Sequence, residues 1–212
     1  WHFVRRRMRG ELGAGWQANE HRHYGLRYGT VAERADRLDE AAVVIRSLLD
    51  RERSDHRGSH YRLDSAPMMP KPIQGRLPLM IGGKGPRRTW PLVGRVADEW
   101  NGWVTPTEMV ELGRIIDRHA EGAGRDPADI GRSAALLVFL CEDEDEAARI
   151  EAVEMGRSRL VGTPAQLVEG VAAYAEAGAD ELVIADFNWP ADRAHEIIET
   201  LATEVFSAFD RS

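Results

Sequence analysis

The chain has very little cysteine: Cys141 is the only one in 212 residues. A single thiol excludes a disulfide framework and any zinc site built from thiolates, and it favours a reducing compartment. No stretch approaches the eighteen or more apolar residues of a membrane-spanning helix, and the opening WHFVRRRMRG lacks the apolar core of a secretory signal. We therefore expect a soluble, cytoplasmic protein without a membrane partner.

An excess of basic residues is also missing, because the formal net charge is −7 and the acidic residues are spread along the chain. This balance argues against a general nucleic-acid binder but leaves an anionic small ligand open. All but two of the 28 Lys and Arg residues are arginine, so arginine by itself carries little functional weight. The length suits one good-sized core, and we expect a single domain over residues 1–212.

Strand and helix patterns alternate along the chain. Strand patterns occur at Met8–Leu12, Leu79–Ile81, Glu99–Val104, Ser133–Cys141 and Glu181–Ile184, and the fourth of these predicts a fully buried strand. Capping signals open the helices that lie between them, at Thr30 with Glu33, Thr105 with Glu108, and Thr163 with Gln166. The alternation predicts about five parallel βα units, whose ligands bind beyond the carboxyl ends of the strands.

Other segments give weaker expectations. A polar loop is predicted around Asn19 to Gly25, and the prolines between Asp50 and Arg76 predict a long irregular excursion. Pro91 should delay or kink the helix that follows the second strand. The helix after Thr30 should bury one apolar stripe formed by Leu38, Ala41, Ile45, Leu48 and Leu49. An acidic helix is expected from Glu142 to about Met155, and a final amphipathic helix from about Asp192 to Phe209.

The strand that ends at Ile81 runs into the glycine-rich stretch PLMIGGKGPRR. Glycine at the end of a parallel strand lets the backbone approach a ligand, and the next helix directs its free amides there. The amides of Gly82, Gly83 and Gly85 could form a phosphate nest, with Lys84, Arg87 and Arg88 as cationic donors. A tight turn surrounded by solvated cations remains the alternative, because the spacing matches neither a Walker loop nor a G-x-G-x-x-G fingerprint.

A second glycine loop, Gly13-Ala14-Gly15-Trp16, follows the first strand. For Trp16 we favour burial in the core over a role as a platform for a cofactor ring. Trp100 and Trp103 could line a flat pocket, although core packing is the usual role of such residues. For Glu20, His21 and His23 we favour the interpretation that they are ordinary loop side chains, so no catalytic residue is assigned.

Taken together, the motifs resemble the luciferase-like monooxygenase superfamily. The segments that carry the resemblance are "LGAGWQANEHRHYGL", "ERADRLDEAAVVIRSLL", "HYRLDSAPMMPKPIQGRLPLMIGGKGPRRT", "LVGRVADEWNGW", "GRDPADIGRS" and "GTPAQLVEGVAAYAEAGADELVI". The branch that the chain resembles most is that of actinobacterial oxidoreductases that use the deazaflavin coenzyme F420. The resemblance implies an α/β fold of the TIM (β/α)8-barrel type, with the cofactor across the carboxyl ends of the strands.

The resemblance also implies site residues. It places Gly82, Gly83 and Gly85, with Arg87 and Arg88 nearby, towards the cofactor phosphate. Gly13, Ala14 and Gly15 are placed against the cofactor ring or its ribityl chain, and Ile81 completes the predicted cofactor-binding set. The sugar-phosphate dehydrogenase branch has a catalytic glutamate just after the G-x-G, where this chain has Trp16. That catalytic role is therefore not transferred, and no metal site is expected.

Family members carry about three further βα units before the segment that matches Gly10. We therefore expect an incomplete barrel with unpaired strand edges, from a natural protein that is longer or from a shortened reading frame. Such a chain should self-associate, as a homodimer or another oligomer. The expected activity is hydride transfer between F420 and a small organic substrate. The alternatives are an FMNH2-dependent monooxygenase on the same fold, which would use FMN, and a non-catalytic flavin-binding or partner protein.

Overall fold

A computed structural model describes residues 8–209 of the chain. The arginine-rich start at residues 1–7 and residues 210–212 lie outside the described residues. The described chain divides into two compact units, which comprise residues 8–101 with 115–131 and residues 102–114 with 132–209. The single domain over the whole chain stays a prediction. No helix in the part of the chain described here is long and apolar enough to cross a bilayer.

Strands and helices alternate for most of the chain. The strands are β1 (Gly10–Leu12), β2 (Arg53–Arg57), β3 (Arg62–Pro67), β4 (Leu79–Gly82), β5 (Glu99–Trp103), β6 (Gly131–Leu140), β7 (Arg159–Gly162) and β8 (Glu181–Ala185). The helices are α1 (Ala18–His23), α2 (Val31–Asp50), α3 (Thr89–Val96), α4 (Pro106–Gly122), α5 (Glu144–Glu151), α6 (Pro164–Glu176) and α7 (Ala194–Thr200). A π-helical turn, Leu201–Val205, and a 3-10 turn, Phe206–Phe209, continue α7.

In the first unit, β4 pairs in parallel with β1 on one side and with β5 on the other. The register pairs Ile81 with Leu12 and with Trp100. Trp100 is fully buried, and its ring meets that of Trp90 on α3 edge-to-face at 5.5 Å between centroids. This face of the sheet is therefore packed against helix α3, and the predicted parallel strands at Leu79 and Glu99 are confirmed.

Helix α3 starts two residues before Pro91, so the proline neither delays nor kinks it. Pro91 occupies the third helical position, where a backbone amide has no partner within the helix. One turn later, Gly94 lies against the backbone of His119 on α4. A Cβ atom at position 94 would come within 2.6 Å of the His119 carbonyl group. The two helices thus approach backbone to backbone at a position that accepts no side chain.

The segment between α2 and β4 contains an antiparallel hairpin of β2 and β3, so the predicted irregular excursion is wrong. The loop of the hairpin is held by Glu40 on α2, whose carboxylate accepts hydrogen bonds from the backbone amides of Ser59, His60 and Tyr61. Its Oε1 also lies 3.0 Å from Nε2 of His56. Partial burial opposes ionisation, but these hydrogen bonds outweigh it and lower the pKa of Glu40 to about 2.

Helix α2 begins as predicted. Thr30 Oγ1 accepts from the amide of Glu33 at 3.2 Å, and the Glu33 carboxylate accepts from the amide of Thr30 at 2.7 Å. The predicted apolar stripe is only partly right, because the fully buried side chains are Leu38, Ala42 and Val44. The other predicted members, at 41, 45, 48 and 49, remain half-buried.

In the second unit, the long buried strand β6 pairs in parallel with both β7 and β8. Strand β7 has four residues and was missed by the sequence pattern, so the described chain has six parallel strands. Helix α6 starts at the predicted capping box, where Gln166 Oε1 accepts from the amide of Thr163 at 3.0 Å. The predicted acidic helix is shorter than expected, since α5 spans only Glu144–Glu151, and the helical run that ends at Phe209 begins at Ala194.

Each unit contains the same contact between a strand and the aspartate that precedes its neighbour. In the first, Asp98 donates its amide to Leu79 O at 2.8 Å and accepts from Leu79 N through its carboxylate at 2.8 Å. In the second, Asp180 makes the same pair of bonds with Arg132, both at 2.7 Å. We call this pair of bonds the aspartate clasp. It starts β4 and β6 in fixed register with the strand that follows each aspartate.

Candidate cofactor site

The two glycine loops lie side by side. Because β1 and β4 are parallel neighbours with Leu12 opposite Ile81, Gly13 and Gly82 leave the sheet at the same edge. This is the carboxyl edge, where loops and helix N-termini of parallel sheets gather ligands. The structure thus brings together the two loops that the sequence singled out separately. Within the described part of the first unit, the three parallel strands do not close into a barrel.

The predicted amide nest at the second loop does not form as expected. The amide of Gly83 donates to Asn101 O at 3.0 Å, and the amide of Gly85 donates to Thr89 Oγ1 at 3.2 Å. These two donors are already satisfied within the chain, so they do not form an open cradle for a phosphate. Gly83 has a φ of 131°, a region that favours glycine. The glycine there is explained by the turn itself.

The two arginines of the loop differ in their surroundings. Arg88 forms an ion pair with Asp36 of α2, whereas Arg87 is exposed and makes no ion pair with any described residue. Both side chains stand just before α3, which begins at Thr89. A guanidinium group without a carboxylate partner can still donate to a phosphate in a bidentate manner. Arg87 is therefore the better candidate for an anion contact.

The first glycine loop is open at one end and tightly packed at the other. A Cβ atom on Gly13 would meet nothing within 4 Å, so the fold itself gives no steric reason for glycine there. Gly15 has a φ of 76°, and a Cβ on it would come within 3.1 Å of His21 Cε1. Trp16 is 69% exposed, and the predicted burial of this side chain is wrong. The open end leaves room for a ligand to approach the backbone.

Sequence reasoning missed two polar residues at this edge. Register places Glu11 opposite Met80 and Asn101 opposite Gly82, on the face of the sheet away from Trp100. Glu11 Oε1 lies 3.1 Å from the point where a Cβ on Gly82 would be. A carboxylate there can accept a proton or a ligand hydroxyl, and it repels an anion at Gly82. The alternation of polar and apolar residues along β1 was the signal that could have revealed Glu11.

Three sequence candidates lie elsewhere or serve the fold. Ile81 is fully buried on the same face as Trp100, so contact with a ligand could come only from its backbone. Trp100 is also core, with Nε1 donating to Gly83 O at 2.8 Å. Trp103 belongs to the second unit, where Arg157 stacks 4.9 Å from its ring.

The predicted polar loop around Glu20 is instead the short helix α1. His21 belongs to that helix, and its Nδ1 lies 2.8 Å from Gln17 O at the helix start. The same oxygen accepts the His21 amide at 3.4 Å. With no glycine or proline between Gln17 and His23, the backbone can follow this turn. Among residues 8–209, no three His, Cys, Asp or Glu side chains are placed to hold a metal ion.

Parallel strands whose carboxyl edge carries two glycine loops and an exposed arginine define an α/β protein with its loops gathered at the edge where such folds bind ligands. Residues 5–157 match the model of the luciferase-like monooxygenase family. The chain belongs to this family. The α/β fold class predicted from the sequence, an incomplete barrel of the TIM type, is confirmed.

Individual relatives agree with this assignment. The F420-dependent hydroxymycolic acid dehydrogenase of Mycobacterium tuberculosis is 33% identical over 144 residues, which cover 64% of this chain and 37% of the dehydrogenase. The pyrimidine monooxygenase RutA of Cronobacter sakazakii is 30% identical over 65% of this chain and 41% of its own length. The chain thus spans about two fifths of the length of each of these two relatives.

A solved structure shows the same fold. An F420-dependent secondary alcohol dehydrogenase, determined with an F420-acetone adduct, superposes with a TM-score of 0.80 at 20% sequence identity. The superposition covers 99% of this chain and 72% of that protein. The two named relatives are thus a dehydrogenase and a monooxygenase, and the solved structure has the same fold as this chain.

Proposed function

We propose that the chain binds the deazaflavin F420 and takes part in hydride transfer between this cofactor and a small organic substrate. The observation that carries the proposal is the pair of glycine loops on the adjacent parallel strands β1 and β4, with the exposed Arg87 beside them. The names of the hydroxymycolic acid and secondary alcohol dehydrogenases support F420 over other cofactors.

When bound, F420 supplies two-electron hydride chemistry, because a carbon replaces the flavin nitrogen that supports radical and oxygen reactions. The task of this chain is to bind and orient it. We propose that Arg87 holds the cofactor phosphate, with Arg88 nearby. Gly82, Gly83 and Gly85 would border this position without donating to the phosphate, because the amides of Gly83 and Gly85 are bonded within the chain and Glu11 lies beside Gly82. The open backbone at Gly13 and Ala14 would lie against the ring or the ribityl chain, and Gly15 would shape that loop.

A fluorescence titration with F420 and with FMN tests the choice of cofactor. We expect F420 to bind at least about ten-fold more tightly than FMN, which corresponds to about 1.4 kcal/mol. Equal affinity, or preference for FMN, would contradict the proposal.

The role of Arg87 is tested by the substitution Arg87→Ala. A charge-assisted hydrogen bond contributes about 1.5–3 kcal/mol, so F420 affinity should fall by about 10- to 100-fold. Arg88→Ala should have a smaller effect because Asp36 already neutralises Arg88. Arg95→Ala is the matched control, since Arg95 lies on α3 but is paired with Asp39 at 2.8 Å. If Arg87→Ala binds F420 like Arg95→Ala, the phosphate lies elsewhere.

The second candidate is an FMNH2-dependent monooxygenase, which the similarity to the pyrimidine monooxygenase favours. Oxygen consumption with reduced FMN, and none with reduced F420, would select this alternative. Binding of either cofactor without turnover on any donor would instead favour a flavin-binding or partner protein.

We also propose that the protein is cytoplasmic and self-associates, most simply as a homodimer. Within residues 8–209, β1 pairs with β4 alone, so its other edge has unpaired backbone groups that favour association. Light scattering after size-exclusion chromatography tests this, and a mass of 23.7 kDa at all concentrations would contradict it.

A further inference from the structure

The segment from Gly13 to Gly29, which we call the β1–α2 loop, is fastened by one side chain of α2. Arg34 Nε donates to Gly15 O at 3.1 Å, and its Nη1 donates to Gly29 O at 3.0 Å. One guanidinium group therefore joins the beginning of the loop to its end. The planar fork of arginine suits such a bridge, because its donors keep a fixed spacing.

Tyr28 completes the fastening. The Arg34 guanidinium carbon lies 3.9 Å from the centre of the Tyr28 ring, and His21 meets that ring edge-on at 4.9 Å. The Tyr28 hydroxyl donates to Trp16 O at 2.9 Å. Two consecutive carbonyl groups, those of Gly15 and Trp16, are thus held by two side chains that stack on each other.

This arrangement fixes one half of the loop and leaves the other half open. The fixed half includes Gly15, whose φ of 76° is a conformation that other residues rarely adopt. The open half is Gly13 and Ala14, both exposed, next to the end of β1. A loop held in its binding conformation before the ligand arrives loses less conformational entropy on binding.

We propose that Tyr28 and Arg34 are positioning residues that hold the β1–α2 loop in the conformation that receives the cofactor ring. They act through the carbonyls of Gly15 and Trp16. The proposal rests on the proposed function for the identity of the ligand, but the order of the loop can be measured without any ligand.

The test uses two conservative variants and one control. Tyr28→Phe keeps the ring that stacks on Arg34 but loses the hydrogen bond to Trp16 O. Arg34→Lys keeps the charge but loses the two-ended bridge. Arg37→Lys is the control, because Arg37 also lies on α2 but bonds to the loop at one point only, Arg27 O at 3.4 Å, and does not bridge its two ends.

Three quantities are compared in wild type and variants: amide hydrogen exchange of residues 13–17, the melting temperature, and the Kd for F420. We expect both conservative variants to exchange these amides faster and to bind F420 about 3- to 10-fold more weakly, the loss expected from one hydrogen bond. The melting temperature should stay close to that of wild type. Arg37→Lys should match wild type in all three quantities.

The outcomes separate this proposal from the proposed function. Faster exchange with weaker F420 binding supports both. If wild type binds no F420, the proposed function fails, and the exchange data alone decide: faster exchange in both variants supports the fastened loop, and unchanged exchange overturns it. Unchanged F420 affinity in both variants, where wild type binds, overturns the positioning role. A large fall in melting temperature would show a merely structural role and also overturn it.

Discussion

The aspartate clasps of the two units use the same local sequence, Ala-Asp-Glu, at Ala97–Glu99 and at Ala179–Glu181. In both, the aspartate exchanges two hydrogen bonds with the first residues of a neighbouring parallel strand. The two clasps differ in the other hydrogen-bond donors that the aspartate carboxylate accepts from. Asp98 also accepts from Arg46 Nη2 at 2.6 Å and from Arg76 Nε at 2.8 Å, whereas the clasp at Asp180 bonds to the backbone amide of Arg132.

The difference shows that a motif which starts a strand can also organise a charge network, as it does in the first unit. Arg46 is mostly buried, with 12% of its side chain exposed, and it also bonds to Asp50 and to Leu77 O. Its Nε has no hydrogen-bond partner among the described residues. A buried guanidinium with an unsatisfied donor depends strongly on the carboxylate it retains. The first clasp should therefore matter more to stability than the second.

Replacing each aspartate by alanine should give the largest difference between the two clasps in the free energy of unfolding. Asp98→Ala leaves Arg46 buried without its strongest partner, and we expect a loss of about 3 kcal/mol in the free energy of unfolding. Asp180→Ala removes a hydrogen bond at the start of β6 and should cost about 1 kcal/mol. Urea denaturation measures both, and the control is Asp39→Ala, at a half-exposed carboxylate that is paired with Arg95. Equal losses of unfolding free energy for the two substitutions would show that Arg46 and Arg76 add nothing to the stability of the first clasp.

Replacement by asparagine separates the charge from the hydrogen bond. An asparagine oxygen can still accept the amides of Leu79 or Arg132, so Asp180→Asn should stay within about 0.5 kcal/mol of wild type. Asp98→Asn loses the charge opposite Arg46 and should cost about 2 kcal/mol. The same denaturation experiment measures the pair. Asp180→Asn proving as costly as Asp98→Asn would contradict the comparison.

Glu40 extends the comparison to a carboxylate whose stabilising effect depends on pH. Its pKa is lowered from 4.5 to about 2 in the folded chain, so its contribution is complete above about pH 4.5 and is lost as the pH falls towards 2. Glu40→Gln should therefore melt below wild type at neutral pH. We expect this difference in melting temperature to be smaller than the one that Asp98→Asn causes, because the hairpin is exposed. The difference should disappear as the pH falls.

Melting temperatures at a series of pH values from 7 down to about 2 measure the effect. Glu121→Gln, an exposed position on α4, is the control and should follow the wild-type curve. A gap between Glu40→Gln and wild type that stays constant across this range would show that the charge of Glu40 does not hold the hairpin loop.

The smallest effect is expected at Arg76, the more exposed partner of Asp98. With 54% of its side chain exposed, its ion pairs are screened by solvent, and Arg76→Ala should cost at most about 1 kcal/mol. The cost should shrink further at high salt. Denaturation at low and at high salt measures this. A loss as large as that of Asp98→Asn would mean that Arg76, rather than Arg46, stabilises the first clasp.

The sequence predicted those features whose signals and partners are close together in the chain. The capping boxes at Thr30, Thr105 and Thr163 were found because cap and partner are three residues apart. The β2–β3 hairpin was missed because the carboxylate that holds its loop lies on α2, about twenty residues away. Strand β7 was missed for a similar reason: four residues carry little pattern, and pairing with β6 defines them.

The site was predicted to a similar extent. The alternation of strands and helices placed both glycine loops at one edge, which the pairing of β1 with β4 confirms. The alternation could not reveal that the amides of Gly83 and Gly85 donate to Asn101 O and Thr89 Oγ1. Those acceptors belong to elements that fold against the loop. Nor could it separate Arg87 from Arg88, since the distinction depends on Asp36 of a distant helix.

The close contact at Gly94 has a consequence for how this surface can evolve. Only the glycine hydrogen separates the backbones of α3 and α4 at that point. A methyl group at position 94 would therefore force α3 away from His119. Arg87 lies two residues before the start of α3, so a shift of this helix would also move the guanidinium group of Arg87. A position without a functional group of its own can thus govern where the guanidinium group of Arg87 stands.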